Sequence, residues 1–215
     1  MTKINPTQNK KSWKSYFNLR KINIVIRILT VSDVIIISSF GLISPIFAIF
    51  VTNTVKGGSV AVAGLAAGIY LITRSIFQIP LGILIDKIKG EKDDFWAMLI
   101  GSILFSIIPL FYLIISTPLH LYVVQFFYGI ATAMVIPSWY AIFTRHIDKN
   151  YEGVEWGAYQ TFVDLGAAGT AFLGGFLAQK FGFPPLFILV SFVSLIGSLF
   201  LLGVRKNMKT GRVLV

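Results

Sequence analysis

Asp33, Arg74 and Asp164 are ionisable residues set inside long apolar stretches of the chain. A charge at bilayer depth costs about 2.5 to 17 kcal/mol, depending on its surroundings. Residues of this kind therefore face a cavity or a partner. Counted from the ends of their stretches, all three fall at or slightly inside the middle of a bilayer. A buried acid near a buried base exchanges a proton when its environment changes, which is the chemistry an ion-coupled carrier needs. The competing reading is a static ion pair, Asp33–Arg74 or Asp164–Arg74, that only ties helices together.

Polar neighbours extend the pattern. Tyr70, Arg74 and Gln78 are spaced four residues apart and line one face of a helix. Gln160 and Asp164 share a face in the same way, and Gln125 and Tyr128 add polar groups to another stretch. The plainer reading of these amides and phenols is an interhelical hydrogen bond.

The elements that must position these groups follow from composition. The chain has 215 residues, of which 55% are hydrophobic and 13% charged. Soluble domains carry roughly 25% charged residues, and a chain this short cannot enclose so many apolar runs in one core. A spanning helix needs about 20 apolar residues, and six runs qualify: 28–51, 60–85, 95–115, 119–143, 157–181 and 184–204. The expected fold is therefore all-α and membrane-integral. One six-helix domain (28–204) is flanked by a basic segment (1–27) and a basic tail (205–215). The polar connections are too short for a soluble domain.

Basic residues give the expected orientation. Of the 19 Lys and Arg, all but Lys56, Lys180 and Arg74 lie in segments on one side: the N-terminal segment, the loops after the second and fourth runs, and the tail. The positive-inside rule puts that side, with both termini, in the cytoplasm. The net charge of +10 is thus read as topology and contact with anionic headgroups, not as a nucleic-acid surface. The expected place is the cell membrane, as a multi-pass protein in a lipid bilayer.

Proline and glycine punctuate the runs. Pro45, Pro80, Pro109 and Pro137 lie within them, and Pro184 and Pro185 suit the first turn of the last. Gly64 with Gly68, and Gly129 with Ala133, are small pairs that permit close helix packing. The absence of cysteine excludes disulfides, thiol catalysis and Cys-based metal sites. No zinc-protease, serine-hydrolase or phosphate-loop motif is present, so no enzymatic activity and no cofactor or metal is expected. His120 and His146 are expected near opposite faces, too far apart to share a metal.

Two stretches carry a family resemblance. Gly82-Ile-Leu-Ile-Asp86-Lys87 resembles the opening of the signature G-x-x-x-D-(R/K)-x-G-(R/K)-(R/K) that marks the major facilitator superfamily. The sequence then departs from it: Lys89 stands at the Gly position, Gly90 comes one residue late, and Glu91 precedes Lys92. Gly157, Gly166, Gly174 and Gly175 match the glycine spacing of the signature of the drug/proton antiporter branch, with Thr170 and Ala171 in place of its central Gly-Pro. In the fourth run Gly129 is in register, but Gln125 stands where the family often has an Arg tied to proton coupling.

The resemblance implies half of a fold that is usually twelve helices in two parallel six-helix repeats. A parallel homodimer would rebuild the whole. Asp86 would then sit near the Gly157 end of the partner's fifth helix, at the positive end of its dipole. The second and fifth helices would form the seam, and the first and fourth would line a central cavity. Gly82, Asp86 and Lys87 would be the cytoplasmic gating motif and the four glycines of the fifth helix its packing surface. Proton or substrate handling would fall to Asp33, Arg74, Gln78, Gln125, Tyr128, Gln160 and Asp164. The expected function is secondary transport of a small, amphipathic organic solute, proton-coupled. The alternative is a non-transporting membrane subunit that partners another half-transporter.

Overall fold

The computed structural model describes residues 22–87 and 90–208. The basic segment up to Lys21, the tail from Lys209 and the signature position Lys89 lie outside the described residues. Six helical segments are long and apolar enough to cross a membrane. The first is broken in two: α1 (Ile24–Gly41) and α2 (Phe47–Thr54), joined through a short 3-10 turn, Ser44–Ile46. The others are α3 (Val60–Asp86), α4 (Lys92–Phe111), α5 (Pro118–His146), α6 (Glu152–Phe181) and α7 (Phe183–Phe200), the last continued by a 3-10 turn to Asn207.

The six predicted runs correspond one to one with these spans, and the local chemistry explains where the boundaries differ. Pro45 lacks an N–H and sits in the turn that interrupts the first span. Beyond Phe111 the predicted third run contains a tightened 3-10 exit, in which Tyr112, Leu113 and Ile114 each bond to the carbonyl three residues back. At its other end α4 starts earlier than hydropathy suggests, because Asp93 and Asp94 fall in the first turn, where carboxylates favour the helix dipole. Glu152 and Glu155 extend α6 in the same way. Ser59 and Thr117 cap α3 and α5 with side-chain acceptors.

α1, α4 and α7 pack together through hydroxyls. Ser32 Oγ donates to Gly197 O at 2.8 Å. Ser106 and Ser198 share a hydrogen bond at 2.9 Å, and Ser191 donates to Ser106 O at 2.6 Å. In lipid there is no hydrophobic drive between apolar helices, so small residues and hydrogen bonds supply the association. α3 packs on α5, and α6 on α1. α5 closes the bundle against α4.

Glycines permit the closest approaches, but not all as expected. A Cβ on Gly129 would meet Thr73 Cβ at 2.7 Å and Tyr70 O at 2.8 Å, so only glycine fits where α5 meets α3. Gly166 lies against Ser38 and Gly174 against the Leu42 carbonyl. Gly64, Gly68, Gly157 and Gly175 have nothing within 4 Å of a notional Cβ. Among the described residues nothing packs against these four, so they lie on open faces of α3 and α6. Gly182 (φ 80°) is the single residue between α6 and α7, and its N–H donates to Ala178 O at 2.9 Å. That left-handed conformation favours glycine.

α3 and α6 are the least buried of the six spans. They share no substantial contact with each other. Large apolar side chains stand exposed on both, among them Ile72, Ile76 and Ile79 on α3 and Leu165, Phe172 and Phe176 on α6.

Candidate solute and proton site

Asp33 lies nine residues into α1, roughly 14 Å along the axis at 1.5 Å per residue. Arg74 lies twelve residues before the end of α3 at Asp86, roughly 18 Å from that same end of the bundle. Both open onto one cavity of about 250 Å³, walled also by Tyr70, Phe105, Thr132, Trp139, Tyr140 and Tyr159. Five spans contribute, and its polar groups are few and spaced apart.

The two charges are not paired. Asp33 Oδ2 accepts a hydrogen bond from Tyr159 Oη at 2.9 Å. Arg74 Nη1 donates to Tyr70 Oη at 3.3 Å, and its guanidinium lies 5.6 Å from the centre of the Tyr70 ring. The Arg74 Nε is buried without a hydrogen-bond partner. Among the described residues no ion pair involves Arg74, so neither static pair considered from the sequence is present. Each charged group instead makes one hydrogen bond to a phenol, Asp33 across the α1–α6 contact and Arg74 one turn along its own helix.

Gln125 is buried and donates to Tyr112 Oη at 3.1 Å. With Tyr128 it belongs to a second cavity of about 310 Å³ towards the opposite end of the bundle, lined also by Phe40, Phe47 and Tyr70. Tyr70 thus borders both cavities, and its ring stacks on that of Tyr128 with centroids 4.5 Å apart. Gln125 and Tyr128 thus line a different cavity from Asp33 and Arg74, with the Tyr70–Tyr128 stack where the two meet. Gln78 is half-buried and lines neither cavity.

Gln160 and Asp164 differ from expectation. Gln160 Nε2 donates to Asp164 Oδ1 at 2.8 Å, and both side chains are exposed on the outer face of α6. They do not join the cavity, because the face of α6 turned to α1 carries Tyr159, Val163 and Gly166 instead. Asp86 and Lys87 are exposed where α3 ends. A Cβ on Gly82 would sit 3.8 Å from Pro137, an ordinary contact.

A charged cluster missed by the sequence reading closes the same end of the bundle. Buried Asp94 pairs with Arg145. His146 Nδ1 lies 2.9 Å from Ile142 O and 3.7 Å from Glu91 Oε1, both side chains being buried. Asp93-Asp94 and Arg145-His146 are adjacent doublets at the touching ends of consecutive antiparallel helices, and that was the available signal. Tyr159 had no such signal, since its hydroxyl meets Asp33 only through the α1–α6 packing. His120 and His146 occupy opposite ends of α5.

The chain's similarities agree with this architecture. A family model described as Major Facilitator Superfamily matches residues 29–213. An uncharacterised MFS-type transporter of Methanocaldococcus jannaschii is 29% identical over 159 residues, covering 74% of this chain and 40% of that protein. The multidrug resistance protein MdtG of Yersinia enterocolitica is 27% identical over 189 residues, covering 87% and 45%. The multi-drug resistance efflux pump PmrA of Streptococcus pneumoniae is 29% identical over 177 residues, covering 79% and 42%. The chain therefore spans less than half the length of these relatives. Among solved structures, the POT family transporter PepTSo superposes with a TM-score of 0.73 at 15% identity, over 87% of this chain and 39% of that one. At that identity the likeness is one of fold.

Proposed function

This chain belongs to the Major Facilitator Superfamily, and from that premise we propose that it is a six-helix unit of a proton-coupled secondary transporter for a small amphipathic organic solute. The observation that carries the reading is the cavity at bilayer depth whose wall holds Asp33 and Arg74 unpaired. A carboxylate and a guanidinium kept apart on an aromatic wall remain available to a proton and a solute, where a closed ion pair would spend them on each other. Asp33 is the proton or solute charge site and Arg74 the counter-charge. The relatives named as a multidrug resistance protein and a multi-drug resistance efflux pump support an organic solute.

A second six-helix unit completes the transporter, and we place a second parallel copy there. The exposed faces of α3 and α6 support this, as does the Gln160–Asp164 pair, since a carboxylate facing lipid is costly. Alternating access is then a rocking of one unit against the other. In that assembly Asp86 meets the start of the partner's α6.

The test is flux in proteoliposomes under an imposed pH gradient, with a panel of radiolabelled aryl amines, aryl acids and amphoteric aryl solutes. Asp33→Asn abolishes proton-driven movement. Persistence of that movement in the variant moves the coupling residue elsewhere. Absence of flux from a confirmed homodimer favours the second reading, a non-transporting partner subunit, which the Gln125–Tyr112 bond in place of a coupling arginine supports.

A further inference from the structure

The wall of the cavity between α1, α3, α4, α5 and α6 offers two opposite charges at separate places, and the ligand class follows from that. Asp33 has one oxygen on Tyr159, while Oδ1 makes no hydrogen bond among the described residues. Arg74 has one nitrogen on Tyr70, and its Nε lacks any partner. A purely cationic solute on Asp33 would share the cavity with the Arg74 guanidinium. A purely anionic solute on Arg74 would share it with the Asp33 carboxylate. With Asp33 deprotonated, either one leaves an uncompensated charge on a wall of low polarity, which is costly. A solute carrying both charges neutralises both.

The remaining surface selects for an aryl body. Trp139, Tyr140 and Tyr159 line the cavity, Tyr159 bonding the carboxylate, with Trp139 and Tyr159 centroids 4.8 Å apart. Such ring faces attract an ammonium group and stack on an aromatic one. Drug-sized ligands occupy pockets of about 300 to 1,000 Å³, and this cavity measures about 250 Å³. The space within one copy suits a single-ring solute.

We infer that this cavity binds an amphoteric aromatic solute, its ammonium on Asp33 against the tryptophan–tyrosine wall and its acid group on Arg74 beside Tyr70. The inference rests on the reading of this cavity as the solute site. It goes further in naming Arg74 as the residue that selects for an acid group.

The experiment is equilibrium binding to the full chain in lipid nanodiscs, by calorimetry, with three probes of one shape: 4-(aminomethyl)benzoate, benzylamine and 4-methylbenzoate. Hydrogen bonds to charged groups are among the stronger ones, so the amphoteric probe is expected to bind at least about tenfold more tightly than either relative. Arg74→Gln brings it down to the level of benzylamine, and Asp33→Asn to that of 4-methylbenzoate. Equal binding of benzylamine and the amphoteric probe, or no binding of any of the three, overturns the proposal. The ranking in the unaltered protein decides even where a variant fails to fold. Binding without flux would sink the transport reading alone; pH-driven movement of benzylamine with no preference for the amphoteric probe would sink this one alone.

Discussion

Gly129→Ala is the substitution whose effect the structure specifies most closely. The added Cβ would stand 2.7 Å from Thr73 Cβ and 2.8 Å from Tyr70 O, whereas ordinary contact begins at 3.4 Å. The obstacle includes the backbone of α3, which cannot rotate out of the way as a side-chain tip could. α3 and α5 must therefore separate by roughly 0.6 to 0.7 Å, and overpacking of this kind costs about 1 to 3 kcal/mol. The gain in helix propensity from replacing glycine is about 1 kcal/mol, leaving a net loss of about 0 to 2 kcal/mol. For a domain of this size each kcal/mol moves Tm by about 2 to 4 °C, so the melt falls by up to about 8 °C. The same shift pulls Tyr70 from Tyr128 and opens the partition between the two cavities. Intrinsic tryptophan fluorescence during heating in detergent measures the first effect, since Trp139 and Trp156 lie in contact within the bundle. The control is Gly64→Ala, where the new methyl meets nothing within 4 Å and the helix-propensity gain stands alone. A Gly64→Ala melt that falls as far as that of Gly129→Ala, or a Gly129→Ala melt that rises, would refute the reasoning.

Arg145→Gln strands the Asp94 carboxylate, whose side chain is only 1% exposed, and because Arg145 itself is 38% exposed the expected loss is about 1 to 3 kcal/mol. Adding Asp94→Asn recovers much of it, and a thermal-melt double-mutant cycle checks the coupling. Ser198→Ala removes a hydroxyl that bonds Ser106 Oγ and the carbonyls of Ser102 and Ser194. At about 0.6 kcal/mol per interhelical bond, Tm falls by a few degrees, read in the same melt; an unchanged melt removes the serine seam as a source of stability. Asp86→Asn lowers the yield of cross-links between single cysteines placed on α3 and α6 of like-oriented copies, a clean readout because the chain has no native Cys. An unchanged yield detaches Asp86 from the seam.

The spans were legible because the bilayer sets their length and leaves backbone groups no partner outside a helix. Tyr70 and Arg74 were placed correctly on one face for the same reason that any i, i+4 pair is. What the sequence lacked was the direction each face points. In a soluble helix the polar side marks solvent, but on α6 the side facing α1 and the side facing outward are both largely apolar. Asp164 and Tyr159 therefore gave no sign of which one meets the cavity. The Ser44–Pro45 break was present in the composition, yet proline is tolerated within the other spans at Pro80, Pro109 and Pro137. Only the surrounding contacts decide which proline interrupts a helix.

The join between α6 and α7 has a mechanical consequence. A hinge needs residues that absorb a change in φ and ψ, and here one residue, Gly182, links two long helices. The residues after it are Phe183 and the φ-restricted Pro184 and Pro185, which leaves little slack. The two spans therefore act as a stiff elbow. A push on the outward face of α6 is not lost in a loop. α6 packs directly on α1, where Tyr159 bonds Asp33, and α7 joins α1 and α4 through the serine contacts, so a displacement of the outer face of α6 reaches the helix that carries Asp33 without an intervening loop.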